Sequence, residues 1–359
     1  MSSTSFFIEE EMGTRKDIKN LTFEELKAEL AGMGEPAYRA TQIFAWLYHR
    51  GAESFTAFTN LSKKFRDELA EAYVIAGPEL HGVFQSRDRT RKYLFKLGDG
   101  NFIETVVIPS GARTTVCLST QVGCKFSCPF CASGLGGFVR NLTTAEIVNQ
   151  ALFLKHHEGE PVTNLVFMGM GEPLDNFENL AKAIQIMNSA EGLGIAARRM
   201  TVSTCGIVPG IRRLQSLGLQ VNLSVSLHAV TDEKRTWLVP VNKKYPLETV
   251  IKAGQDFMKG GGRKITLEYV LIRGVNDGLA DADGLARIAR RLRAKVNLIP
   301  YSPIRGLPYQ VPAEEKIRLF LERLEETNVS VTLRHSKGSD IQAACGQLAG
   351  RKLLEGNPS

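Results

Sequence analysis

Three cysteines fall within eight residues, as Cys124-Lys-Phe-Ser-Cys128-Pro-Phe-Cys131. Thiolates spaced C-x3-C-x2-C can converge from one loop on a single inorganic centre. A structural zinc site closes with four ligands, and no fourth Cys or His lies nearby in the chain. A [4Fe–4S] cluster held by three thiolates keeps one iron open to a small-molecule ligand. Zinc completed from afar, or chance crowding, are the competing readings. Cys117, Cys205 and Cys345 stand alone, where a buried apolar side chain is the ordinary reading. Met168-Gly-Met-Gly-Glu-Pro173 carries a Gly-x-Gly turn, a weak signal by itself. Glu104 interrupts an apolar run, where a solvent-facing alternation position is the ordinary reading.

These residues need elements to hold them. The first ~75 residues read as a helical unit. Thr22-Phe-Glu-Glu25 is a capping box followed by Leu26 and Leu30. A second helix after Pro36 carries Ile43, Trp46 and Leu47, and Gly51 ends it. A third begins at Ser62, with Phe65 and Leu69 inward and Lys63, Lys64 and Arg66 outward, either solvated or against RNA. Arg91 to Leu97 alternates and is expected to form a hairpin with Phe102 to Ile108 about Asp99-Gly100. Arg87, Arg89, Arg91 and Lys92, with Tyr93 interleaved, make a short basic patch. Beyond Cys131 helices starting near Thr144, Asn176, Pro209, Pro246, Leu279 and Ala313 alternate with strands. Those strands are expected near 164–168, 200–204, 221–227, 264–272, 296–300 and 329–334. Such alternation argues for an α/β fold of parallel strands and crossover helices, as an open sheet or a barrel.

The chain has 359 residues, 43% apolar and 23% charged, which excludes disordered and fibrous classes. A formal charge of +7 permits a nucleic-acid partner without demanding one. Residues 1–10 show no secretory pattern and no stretch approaches the ~20 apolar residues of a membrane span. A cytoplasmic protein with no membrane partner is expected, in a compartment where six cysteines suggest metal or catalysis before disulfides.

The cysteine spacing resembles the radical S-adenosylmethionine superfamily, whose fold is a partial βα barrel with the cluster loop after its first strand. Here that strand is expected at 114–119, and the Gly-x-Gly motif follows the next one. Val122 to Cys131, Gly137-Phe-Val-Arg-Asn-Leu142, Ser226-Leu-His228, Val296-Asn-Leu-Ile-Pro300 and Ala343-Ala-Cys-Gly-Gln-Leu348 narrow the resemblance. They are similar to the RlmN/Cfr family of RNA adenosine methyltransferases over nearly the whole chain.

The resemblance implies a [4Fe–4S] cluster on Cys124, Cys128 and Cys131, and S-adenosylmethionine used twice per turnover. Carbon 2 of adenine, between two ring nitrogens, is too electron-poor to attack a sulfonium methyl. In the family's chemistry one S-adenosylmethionine methylates Cys345. A second yields a 5′-deoxyadenosyl radical that takes hydrogen from this S-methyl group. The methylene radical adds to the base, the adduct loses an electron and a proton, and Cys117 then attacks Cys345, releasing product and leaving a transient disulfide. The resemblance places Glu104 as proton acceptor, although Cys117 competes for that role. It places Gly171, Glu172, Ser203, Ser226, Leu227, His228 and Ser302 at the cofactor. Ser302 stands where relatives usually carry Asn, and its hydroxyl reaches less far. Cys205 has no role in the family.

Expected substrates are 23S ribosomal RNA and transfer RNA beside the anticodon, with an electron donor such as flavodoxin. Carbon-8 methylation is the enzymatic alternative, and a non-catalytic, zinc-stabilised RNA-binding protein the different one. Expected divisions are a helical accessory unit over 1–78 and a hairpin extension over 79–109. A core barrel over 110–335 and a C-terminal segment over 336–359 follow.

Overall fold

The computed structural model describes residues 15–334 and 336–349. The leader-free reading of residues 1–10 and the last part of the C-terminal segment lie outside the described residues.

Ten strands form one sheet: β1 (Glu79–Gln85), β2 (Arg91–Lys96), β3 (Phe102–Ser110), β4 (Arg113–Cys117), β5 (Val162–Phe167), β6 (Met200–Thr204), β7 (Asn222–Ser226), β8 (Ile265–Leu271), β9 (Lys295–Pro300) and β10 (Val331–Leu333). They lie in chain order from one edge to the other. From β4 to β10 every neighbouring pair is parallel, whereas β1 to β4 pair antiparallel. This is an open α/β barrel-type sheet with a hairpin extension, as expected. The turn at Gly100 (φ +80°) closes on Leu97 O at 2.9 Å.

The alternation read into β2 is absent: Lys92, Tyr93, Leu94 and Phe95 are all buried. Covering on both faces replaces alternation by a continuous buried run. Lys92 and Tyr93 are therefore not part of a surface basic patch. Glu104, on β3 opposite Leu94, is 3% exposed, which removes the solvent-facing reading.

The chain divides into two compact units. One takes the described residues of 1–78, 142–161 and 178–196. It contains α1 (Phe23–Gly32), α2 (Tyr38–Phe44), α3 (Lys63–Ala72), α4 (Thr144–His156) and nearly all of α5 (Phe177–Asn188). The Thr22–Glu25 capping box forms, and Leu26 and Leu30 are buried behind it. α2 runs into a π-helical stretch, Ala45–His49, which buries Leu47 and leaves Trp46 half-buried against Phe58. Within this unit Asn149 Nδ2 donates to Ala76 O at 3.0 Å and Lys155 Nζ to Tyr48 O at 3.1 Å. The sequence pattern gave α4 and α5 to the alternating core, because a crossover helix looks alike whichever neighbours it packs on. Lys63 and Lys64 are exposed, while Arg66 donates to Thr56 O at 2.6 Å.

The second unit takes the sheet with α6 (Val208–Ser216), α7 (Asp232–Leu238), α8 (Leu247–Lys259), α9 (Leu279–Leu292) and α10 (Glu314–Glu326). α7 escaped the sequence reading because seven residues span too few turns to show a period. Its signal was Thr231, whose side chain caps the Lys234 N–H, with Asp232 and Glu233 in the first turn. Among the described residues no helix is long and apolar enough to cross a membrane.

Candidate active site

Side chains from the carboxyl ends of the parallel strands meet around one cavity of about 990 Å³, its open side included. It is lined by Cys124, Cys128, Cys131, Gly171, Glu172, Ser203, Ser226, His228 and Cys345, all singled out in the sequence. Cys117, Glu104, Leu227 and Ser302 are not in its lining. Cys117 ends β4 and is buried; Leu227 is buried, with its N–H on Glu268 O at 3.0 Å. The Ser302 hydroxyl donates to Ser336 Oγ at 2.8 Å.

The cluster loop follows β4 after a short strand, Gln121–Gly123, that pairs antiparallel with Phe138–Asn141. Burial pushes the Cys124 thiol up to about 12, Cys128 well above the ordinary value and Cys131 upward. Charge on neighbouring thiols adds to each shift, while Ser133 and Gly134 partly offset it at Cys131. Three half-buried, poorly solvated thiols that oppose one another's ionisation are what a cationic inorganic centre relieves, since it takes them as thiolates. Among the described residues no three His, Cys, Asp or Glu side chains gather to hold a single metal ion. A cubane asks for one thiolate on each of three irons, and this donor set suits that demand.

The glycine motif is required by packing. A Cβ on Gly169 would lie 2.7 Å from the Leu118 carbonyl, and one on Gly171 (φ +94°) 2.4 Å from Gln121 Cβ. The absence of side chains lets this turn press against the chain entering the cluster loop. Glu172 is then locked: its Oε1 accepts from Leu174 N at 3.1 Å and Oε2 from Cys205 N at 2.8 Å. Burial raises its pKa, partly offset by these bonds.

His228 has φ 58°, an uncommon conformation for a non-glycine residue at a strand end. Its Nδ1 accepts from Val270 N at 3.2 Å, and Phe130 meets its ring edge-on. Burial, with the nearby Arg235 charge, pushes its pKa down to about 3. The ring is neutral, and the bond to Nδ1 leaves its proton on Nε2.

Four residues important here had no expected place at the site. Glu268 lines the cavity; its Oε1 accepts from Ser224 Oγ and Asn297 Nδ2, both at 3.1 Å. Its Oε2 is buried without a hydrogen-bond partner among the described residues, so it suits a donor group on a ligand. Cys205, assigned nothing from the sequence, also lines the cavity, its thiol pushed well up by burial and the Glu172 charge. Lys92 forms a buried 2.9 Å ion pair with Glu104 Oε1. Arg235 is fully buried. It donates to the carbonyls of Cys205 (2.6 Å), Ser226 (3.3 Å) and Leu227 (3.2 Å), and to Asn242 Oδ1 (2.8 Å). Asn242 passes the contact on to Asp232 Oδ1 at 2.8 Å. One guanidinium thus ties the ends of β6 and β7 together beneath the cavity. Arg235→Met takes the guanidinium away from all of these acceptors, of which Leu227 O keeps a bond from Ala229 N, so a loss of roughly 3 kcal/mol in stability is expected. Anaerobic thermal or denaturant unfolding measures it, and an unchanged midpoint contradicts it.

Residues 118–283 match the radical SAM superfamily, and residues 16–75 match the ribosomal RNA large subunit methyltransferase N-terminal domain. A protein of Geotalea uraniireducens (strain Rf4), named dual-specificity RNA methyltransferase RlmN, is 48% identical over 335 residues. That match covers 93% of this chain and 97% of the relative. The Geobacter sulfurreducens protein of the same name is 48% identical over 340 residues, covering 95% and 94% of the two chains. The crystal structure of a radical SAM methyltransferase from Sphaerobacter thermophilus superposes with a TM-score of 0.87 at 44% identity. It covers 93% of this chain and 99% of that one. Relatives nearly half identical over almost their whole length, with the three loop cysteines lining one cavity of this chain, carry the conclusion: the chain belongs to the RlmN family of radical S-adenosylmethionine RNA methyltransferases.

Proposed function

We propose that this enzyme methylates carbon 2 of adenosine in 23S ribosomal RNA and in transfer RNA beside the anticodon. The supporting observation is the placement of Cys345 on an exposed loop position at the cavity lined by Cys124, Cys128 and Cys131. A [4Fe–4S] centre on those three thiolates supplies, with an electron from a donor such as flavodoxin, the reductive cleavage of S-adenosylmethionine.

The chain's own residues do the rest. Gly171, Glu172, Ser203, Ser226 and His228 line the cofactor's seat, while Leu227 and Ser302, outside that lining, would support it from neighbouring positions. Neutral His228 offers an Nε2–H, and Glu268 Oε2 accepts a donor such as a ribose hydroxyl. Cys345 receives a methyl group from one cofactor molecule and presents it to a second, so two are consumed per turnover. Once the cleaved second cofactor molecule has taken a hydrogen atom from it, the carbon so presented would bond to the base, and the adduct would give up one electron to the iron–sulfur centre and its ring proton to Glu104. Cys117 completes the cycle by attacking Cys345, freeing the methylated nucleoside as a disulfide forms. That disulfide is reduced by an external thiol or donor before the next cycle.

Carbon 2 is favoured over carbon 8 by Gly137-Phe-Val-Arg-Asn-Leu142 and by the helical unit over 1–78, which we assign to RNA holding. The hairpin over 79–109, core over 110–335 and cysteine-bearing segment over 336–359 complete the working division. Methylating these RNAs is cytoplasmic work. The zinc-stabilised, non-catalytic reading is set aside by membership of an enzyme family.

Incubation of the cluster-loaded enzyme with reductant, S-adenosylmethionine and unmodified RNA, then nucleoside mass spectrometry, tests this. 2-Methyladenosine is expected in both RNA classes. 8-Methyladenosine in its place overturns the regiochemistry, and product in one class alone overturns the dual substrate range.

A further inference from the structure

The loop carrying Cys345 is tied down on both sides of that residue. On its upstream side Asp340 accepts from Ser86 Oγ at 2.6 Å, and Lys92 Nζ donates to Gln342 O at 3.3 Å. On its downstream side Ala132 N donates to Gly346 O at 2.7 Å and Ser133 Oγ to Leu348 O at 2.5 Å. Ala132 and Ser133 directly follow Cys131. Ala349 N then donates to Glu104 Oε2 at 2.7 Å.

Glu104 therefore has a donor on each carboxylate oxygen: the Lys92 ammonium on Oε1 and the Ala349 amide on Oε2. Both side chains of the pair are almost wholly out of water, where charge-assisted hydrogen bonds are strong. Lys92 also reaches Gln342, so two adjacent side chains grip the loop before and after Cys345. The grip holds Gln342 at φ 53°, an unfavourable conformation for a side-chain-bearing residue.

We infer that Lys92 and Glu104 form a latch that seats the Cys345 loop, with Glu104 Oε2 engaged by the Ala349 N–H whenever the loop is seated. Glu104 is thus a positioning residue in this state. Its Oε2 becomes a proton acceptor at the base only after Ala349 has left it, so unlatching the loop and arming Glu104 are one event. This second consequence rests on the proposed roles of Cys345 and Glu104, whereas the latch itself does not.

Hydrogen exchange of the full-length, cluster-loaded protein, read by mass spectrometry over 338–349, tests the latch. The amides of β8 serve as a control for the fold. Glu104→Ala removes the acceptor, and exchange in 342–349 is expected to quicken about tenfold to a hundredfold with β8 unchanged. Glu104→Gln keeps a carbonyl oxygen for Ala349 and is expected to restore most of the protection. Unchanged protection in the Ala protein, or equal loosening in the Ala and Gln proteins, overturns the latch. Should the Ala protein not fold, the double variant Lys92→Met/Glu104→Leu replaces the pair by apolar side chains of similar size, a change often tolerated. It too is expected to free the loop, and a loop as protected as in the parent overturns the proposal. Methyl occupancy of Cys345, weighed on the same samples, reads separately. A parent protein never methylated there sinks the carrier role and leaves the exchange result standing.

Discussion

Cys345→Ala protein is expected to bind iron and sulfide as the parent does yet to yield no methylated RNA, a fall of at least about a thousandfold. The expectation rests on where the thiols are. Cys345 is exposed at the cavity, on a loop held by hydrogen bonds from Ala132 and Ser133 and to Glu104. Cys205 lines the same cavity but cannot stand in for it. Its N–H is held by Glu172, its carbonyl by Arg235, and its thiol is kept protonated by burial beside the Glu172 charge. Nucleoside analysis beside iron and sulfide determination separates loss of the carrier from loss of the cluster. Methylation retained at a tenth of the parent rate removes Cys345 from the proposed chemistry.

Cys117→Ala protein is expected to stop one step later and to accumulate as a covalent protein–RNA adduct through Cys345. A band of retarded mobility that nuclease collapses, with a nucleotide remnant on the Cys345 peptide, identifies it. Absence of both species in a protein that still methylates Cys345 contradicts the resolving role. The parent enzyme carries a linked pH signature. Burial first, and then the Cys345 charge, push the Cys117 thiol up to about 12. Thiolate is the attacking form, so its fraction climbs about tenfold per pH unit throughout the range below that value. Release of a preformed adduct, followed in a single turnover, accelerates accordingly between roughly pH 7 and pH 9. A flat profile assigns the slow step elsewhere.

Much of this was legible in the chain. Strand and helix periods are local, and so the alternation beyond Cys131 located all six later strands of the parallel sheet. The cluster cysteines were legible because eight consecutive residues hold all three. Capping at Thr22 and Ser62 was equally local, each side chain reaching an N–H three residues on. Local pattern misled where burial on both faces erased alternation, at Lys92 and Tyr93, and where a helix was too short to show a period, at α7.

What the sequence by itself determined was the α/β alternation, the three-thiolate loop and, through motif resemblance, the family. The tertiary structure alone decided which isolated residues became partners. Ala349 meets Glu104 across 245 positions of sequence, and Lys92 meets Gln342 across 250. It also decided that Cys205 faces the cavity, that Ser302 turns to Ser336, and that Gly169 and Gly171 answer to backbone packing. Arg235 shows the reason. A buried charge is tolerated where enough acceptors converge on it, and its acceptors come from three separate segments that meet only when the sheet has formed.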